Sequence, residues 1–288
     1  MLDTLKNTKQ WPGKPHWKPE DYPDRYIDVP GEEGSPLDCG IPLEVPEELA
    51  SDEHANQGLV NICHPFFGAD PDGIKDSTAA IQKAVDYARD HFMVCFFPTG
   101  RYRVSDTITC VQKLRRTPEG RILHGKNIPC YLLGSAASEK RAEIFLTENA
   151  PGFDNREKPK SVLKHLPLAF CHYYGPTEGP VQYNIQMNQC VVNLDITVGE
   201  GNAGAIALEL RGAQGTGAYD CTLDATHGYA GLKGGCGSGG CHAGITIIGG
   251  EIGMLNEGQP ATTMAGMTFL DQRGPAFTGE DIPPDFTN

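Results

Sequence analysis

Long apolar runs are missing from this chain. None approaches the roughly 18 residues of a membrane-crossing helix, so no such span is expected. Basic charge is scarce too, with 24 Lys and Arg against 37 Asp and Glu and a formal net charge of −13. A phosphate backbone needs a basic face, so no nucleic-acid partner is expected. A polyanionic substrate would need a local basic patch, for which Lys113, Arg115, Arg116 and Arg121, or Lys158, Lys160 and Lys164, are candidates, although solvated loop charges are the plainer reading. The first residues, "MLDTLKNTKQWPGKPHW", lack the charged-then-apolar order of a signal peptide. The ten cysteines are scattered, without a dense disulfide framework, and Cys95 and Cys221 sit inside apolar runs as small core residues.

Turns, in contrast, are plentiful: 35 glycines and 22 prolines suit a chain of many short strands better than a helical bundle. With 288 residues, 39% of them hydrophobic, one sizeable core is affordable. Residues 1–57 are proline-rich and aperiodic, and read as an irregular arm anchored on the body by Trp11, Trp17, Tyr22 and Tyr26. The body spans 58–288.

The most ordered local signal runs from Phe67 to Ser105. "GADPDG" is turn chemistry, with Pro71 fixing one φ and Gly68 and Gly73 free to take positive values. Asp76 or Ser77 then caps a helix whose apolar positions Ala80, Ile81, Ala84, Val85 and Ala88 fall at helical spacing. "MVCFF" reads as a buried strand, "PTG" as a turn, and "RYRVSDTIT" as an alternating, half-exposed strand. This order resembles the opening of pectate-lyase-like, right-handed parallel β-helix proteins, through Gly68, Ala69, Asp72, Gly73, Asp76, Thr78, Ala79, Ala80 and Ile81, then Phe97, Pro98, Gly100 and Tyr102. Pro71 and Ser77 depart from that pattern. The resemblance implies an all-β solenoid with an N-terminal capping helix.

An internal repeat points the same way. "VNLDIT", "YDCTLD", "AGITII" and "AGMTFL" align with Asn193, Asp220, Gly244 and Gly266 at spacings of 27, 24 and 22. A period in the twenties marks a solenoid. Alternation predicts three inward stacks: Val192, Tyr219, Ala243 and Ala265; Leu194, Cys221, Ile245 and Met267; Ile196, Leu223, Ile247 and Phe269. Leu208, Leu232 and Leu255 form a second row. The outward rows are Asp195, Thr222, Thr246 and Thr268 beside the first, and Glu209, Lys233 and Asn256 beside the second.

Cleavage of a polysaccharide needs two carboxylates flanking the bond, or a base with a cation that neutralises a uronate. The candidate acids are Glu209, Asp220 and Asp224, and the candidate cations or bases are Arg211, His227 and Lys233. Tyr173, Tyr174, Tyr229 and Asp271 are candidate substrate contacts. The plainer reading of Glu209 and Lys233 is a cross-coil ion pair, and of Asp220 and Asp224 a pair of turn or ladder hydrogen-bonders. "GGCGSGGCH" contains a GxGxxG, but a strand follows it rather than a helix, so no dinucleotide site is expected. Cys236, Cys241 and His242 make too few ligands for a zinc ribbon, and a Cys236–Cys241 disulfide stays open. No metal and no cofactor are expected.

What the resemblance implies is a carbohydrate-active protein, extracellular by analogy, whose partner is a polysaccharide or oligosaccharide. Hydrolase and lyase both stay open, because neither "NTDG" with "RIK" nor "RxPxxR" occurs in the chain. A non-catalytic glycan-binding or structural solenoid is the alternative. The last residues, "GEDIPPDFTN", offer no closing helix, so self-association or continuation at that end is expected.

Overall fold

The computed structural model describes residues 45–111, 113–116, 122–138, 140–166, 186–257 and 262–279. The arm anchors Trp11, Trp17, Tyr22 and Tyr26, and the candidate contacts Tyr173 and Tyr174, lie outside the described residues. The chain winds as a parallel β-helix, and each coil lays one strand in each of three parallel sheets. The first sheet stacks Leu59–Asn61, Val94–Phe97, Tyr131–Gly134, Cys190–Val192, Gly217–Tyr219, His242–Ala243 and Met264–Ala265. The second stacks Gly100–Val104, Ala142–Leu146, Leu194–Val198, Thr222–Ala225, Thr246–Gly249 and Thr268–Leu270. The third stacks Ile108–Val111, Lys160–Leu166, Ala205–Glu209, Ala230–Lys233, Ile252–Asn256 and Phe277–Gly279. Coil 1 is residues 94–111, coil 2 131–166, coil 3 190–209, coil 4 217–233, coil 5 242–256 and coil 6 264–279.

Helix α1, Thr78–Asp90, closes the N-terminal end by burying Ile81, Ala84, Val85 and Ala88. The Asp76 carboxylate accepts the Thr78 N–H at 2.7 Å, and Ser77 stands at the N-cap position. Helix and loop together satisfy the strand edges that an open solenoid would expose. Gln82 accepts the Thr109 N–H at 2.8 Å and donates to the Thr109 carbonyl at 2.8 Å. On the second sheet, Arg101 N–H donates to Pro71 O and Ser77 N–H to Arg103 O, each at 2.8 Å. The "GADPDG" turn is therefore a lid over the first strand of that sheet.

Two of the three expected inward stacks hold. Leu194, Cys221 and Ile245 are buried, as are Ile196, Leu223 and Ile247, while Met267 and Phe269 pack partly buried against the same core. The third stack keeps its register, Val192 to Tyr219 to Ala243 to Ala265, but faces the other way. Its members are half-buried or exposed, and Val191 and Ala218 point into the core instead. The cause is the corner between the first and second sheets. Asn193, Asp220, Gly244 and Gly266 all take left-handed φ, from 52° to 65°, and one such residue breaks the alternation across the corner. The second expected row also needs correction. Leu208 and Leu232 continue into Met254, whereas Leu255 pairs with Lys233 in the neighbouring ladder and displaces Asn256 from it. Met254 and Leu255 are adjacent and both apolar, so alternation alone could not choose between them.

Coil 6 leaves Met264, Leu270 and Phe277 exposed. Among the described residues, no helix is long and apolar enough to cross a membrane.

Candidate functional site

The third sheet carries a ladder of alternating charge, Lys164 beside Glu209 beside Lys233, in coils 2, 3 and 4. Arg211 follows two residues after the strand that ends at Glu209, and Glu257 follows Ile252–Asn256 in coil 5. Together they form one network. Glu209 receives a hydrogen bond from Ser161 Oγ at 2.6 Å and pairs with Lys164 at 3.4 Å and Arg211 at 3.6 Å. The Arg211 guanidinium also pairs with Glu257, which Lys233 approaches at 3.5 Å. Three cations meet two carboxylates, a local excess of one positive charge. The cations stand nearer to solvent: side-chain exposure is 34% for Lys164, 22% for Lys233 and 16% for Arg211, against 9% for Glu209 and 8% for Glu257.

Of the residues expected from the sequence, the structure gathers Glu209, Arg211 and Lys233 here. The expected Glu209–Lys233 ion pair is corrected: the two are ladder neighbours, but each makes its ion pair elsewhere. The other candidates fall outside the cluster. Asp220 is an exposed corner residue, its left-handed backbone donating N–H to Ala243 O at 2.9 Å. Asp224 lies half-buried on the second sheet, and its carboxylate accepts the Thr226 N–H at 2.9 Å. His227 is exposed in the turn from the second to the third sheet, with Tyr229 half-buried at the end of that turn. Asp271 is exposed after Thr268–Leu270, again with positive φ. Asp220, His227, Tyr229 and Asp271 are turn and corner residues and Asp224 is a strand residue of the second sheet, so none of the five joins the Glu209, Arg211 and Lys233 network.

Sequence reasoning placed Lys164 only in a basic patch with Lys158 and Lys160, and it missed Ser161 and Glu257. Lys164 follows from extending the ladder one coil backward. Glu257 was hidden by the one-residue shift that put Asn256 in the wrong row. A second carboxylate pair was also overlooked. Glu143 and Asp195 are direct ladder neighbours on the second sheet, paired with Arg101 at 3.4 Å and Arg141 at 2.8 Å respectively. Asp195 Oδ1 also accepts the Thr222 N–H at 2.7 Å, and Arg101 lies 3.8 Å from the Phe145 ring centre.

Six of the eight described cysteines are buried, and Cys63 and Cys241 are half-buried. Cys236 and Cys241 are both free, and burial raises the Cys236 thiol above its ordinary range. His242 is fully buried, accepts the Ala218 N–H through Nδ1 at 3.2 Å, and burial pushes it down to about 4, so it is a neutral core side chain. Among the described residues, no group of three or more His, Cys, Asp or Glu side chains is arranged to hold a metal ion.

A family model described as "Rhamnogalacturonase A/epimerase, pectate lyase-like" matches residues 60–126. No curated protein matches the chain in sequence. Among solved structures, ORF18 of Geobacillus virus E2 is similar over 78% of this chain and 50% of its own, at 14% identity and a TM-score of 0.35. The surface adhesin PfbA of Streptococcus pneumoniae is similar over 74% of this chain and 56% of its own, at 11% identity and a TM-score of 0.32. The catalytic unit of a GH87 α-1,3-glucanase from Streptomyces thermodiastaticus is similar over 73% of this chain and 41% of its own, at 15% identity and a TM-score of 0.27. The chain thus spans about half the length of these structures.

Proposed function

We propose that the protein is a carbohydrate-active enzyme that cleaves a carboxylate-bearing polysaccharide outside the cell, with the Arg211 network as its anion-receiving subsite. One observation carries this reading: in a chain of net charge −13, three cationic side chains gather at one place and stand nearer to solvent than their two carboxylates. A uronate carboxylate entering there meets the Arg211 fork and the ammonium group of one lysine, which suit it by charge and geometry, while the other lysine, as the free amine, is left to act as base. Neutralising that carboxylate acidifies the neighbouring ring proton, and a base can then remove it as the leaving sugar departs. Lys164 and Lys233 are the candidate bases. The rhamnogalacturonase in the description of the matching family model is named for a galacturonate-containing polymer, which supports the reading.

The test is an assay of the purified protein against polyuronates and neutral glucans, read as unsaturated products and as reducing ends. Unsaturated products from polyuronates alone are expected. Reducing ends without unsaturation would favour hydrolysis. For that second reading the specific support is the Glu143–Asp195 pair: adjacent coils lie about 4.8 Å apart, near the roughly 5 Å of retaining glycosidases. Glycan binding with neither product would favour the non-catalytic solenoid. End-to-end stacking of coil 6 on a second copy would cover Leu270 and Phe277, and sizing across a concentration series tests it.

A further inference from the structure

The residues that lead into coil 1 shape a polar cleft of about 510 Å³, away from the Arg211 network. Asp52, Glu53, His54, Asn61 and His64 line it, and no Lys or Arg does. Asp52 is the unusual member. It is 8% exposed, and its Oδ1 accepts both the His54 backbone N–H and the His54 Nδ1–H, each at 2.9 Å. Its Oδ2 is buried without any hydrogen-bond partner among the described residues. A buried carboxylate oxygen left unpaired is costly, and a donor that reached it would relieve that cost.

The neighbours sort into acceptors and donors. His54 Nδ1 is committed to Asp52, and Glu53 is an exposed carboxylate. Asn61 spends its carbonyl on the Cys63 N–H at 2.9 Å and keeps its amide donors. His64 Nδ1 accepts the Phe66 N–H at 3.3 Å, which places the neutral ring's proton on Nε2. The His54 ring stacks on Phe96 at 5.3 Å between centroids. Cys63 is already used: Tyr102 donates to Pro98 O at 2.7 Å, leaving the thiol to donate to Tyr102 Oη at 3.3 Å.

We infer that this cleft binds an amino sugar, its protonated amine on Asp52 and its hydroxyl oxygens on Asn61 and His64. Two carboxylates without a lining Lys or Arg select the ammonium group. The outcome is independent of the cleavage reading, because no residue is shared between the two sites.

The experiment titrates the full chain with glucosamine and, separately, with glucose, by calorimetry and by NMR of the imidazole rings. Glucosamine is expected to bind and to move the His54 and His64 signals, with glucose at least tenfold weaker, the ratio for a charge-assisted hydrogen bond. Asp52→Asn is expected to weaken glucosamine about tenfold. Should that variant fail to fold, Glu53→Gln, at an exposed position, is expected to weaken it about twofold. Equal binding of glucose would overturn the ammonium assignment. Unmoved histidine signals, or a Glu53→Gln protein that binds as the parent does, would overturn the site.

Discussion

Asp220 sits directly above Gly244 at the corner between the first and second sheets, so that a Cβ added to Gly244 would collide with Asp220 Oδ1. Both have left-handed backbones, with φ of 52° and 65°, and the Gly244 N–H continues the column by donating to Ala265 O at 3.0 Å. The corner explains why Asn, Asp or Gly stands at the head of each sequence repeat, as Asn193, Asp220, Gly244 and Gly266. Only Asn, Asp and Gly accept this conformation cheaply.

Gly244→Ala should therefore cost about 1–2 kcal/mol, from backbone strain and the turning aside of the exposed Asp220 carboxylate. Gly266→Ala, whose added Cβ meets nothing closer than 3.5 Å, should cost about 1 kcal/mol, from strain alone. Urea melts of the two variants check the ordering. Asp220→Gly should leave both stability and any turnover nearly unchanged.

Arg211→Ala removes the cation that joins Glu209 to Glu257 and leaves two carboxylates largely buried. A loss of about 3 kcal/mol is expected, the usual scale for breaking a buried pair. Lys233→Gln touches only one ion pair at the solvent edge and should cost less than about 1 kcal/mol. Under the proposed function, Lys233→Gln should still weaken polyuronate binding measurably and reduce its salt dependence. Unaltered polyuronate affinity in a folded Lys233→Gln protein would argue against the subsite.

The solenoid was legible because its register is written twice, in Leu194–Cys221–Ile245 and in Ile196–Leu223–Ile247, each a column of apolar side chains one coil apart. Handling of the corner was not legible from alternation. Reading Val192 as continuous with Leu194 ignores the left-handed residue between them, and only backbone geometry reveals the switch. The site was half legible for a related reason. Glu209, Arg211 and Lys233 are close in the repeat frame, whereas Glu257 depends on whether Met254 or Leu255 carries the ladder, which two adjacent apolar side chains do not decide. Asp220, Asp224 and His227 looked equivalent to the network residues because turn, corner and charged ladder positions draw on the same polar residue types.

Acid should unfold the protein through two core histidines. Burial lowers His165 to about 3 and His242 to about 4, from an ordinary value near 6.5. Between pH 6.5 and about 4 the unfolded chain takes up these protons and the folded chain does not, so stability falls as pH falls. The expected slope is about 1.4 kcal/mol per pH unit for each histidine. His165 has no hydrogen-bond partner at either ring nitrogen among the described residues, so His165→Leu should be near neutral at pH 7. The same variant should flatten the decline between pH 6 and about 4.5, and melting curves across that range check both.

The lid over coil 1 separates two aspartates that look alike in the sequence. Asp72 belongs to the pattern that marks the fold, yet its side chain is exposed and the loop is tied by Asp70. Asp70 Oδ2 accepts the N–H groups of Ile74 and Lys75 at 2.9 and 2.7 Å, and its Oδ1 accepts that of Asp72 at 3.2 Å. These backbone donors, Lys75 first, hold the Asp70 carboxyl below the usual carboxylate range. Its folded value is lowered, so its stabilisation is present at neutral pH and is lost as pH falls through that value. Asp70→Ala should consequently lower the melting temperature at pH 7, and the difference from the parent should shrink in strong acid. Asp72→Asn should melt with the parent at both pH values. A reversed ranking would return the organising role to Asp72 and leave the three bonds at Asp70 without consequence for stability.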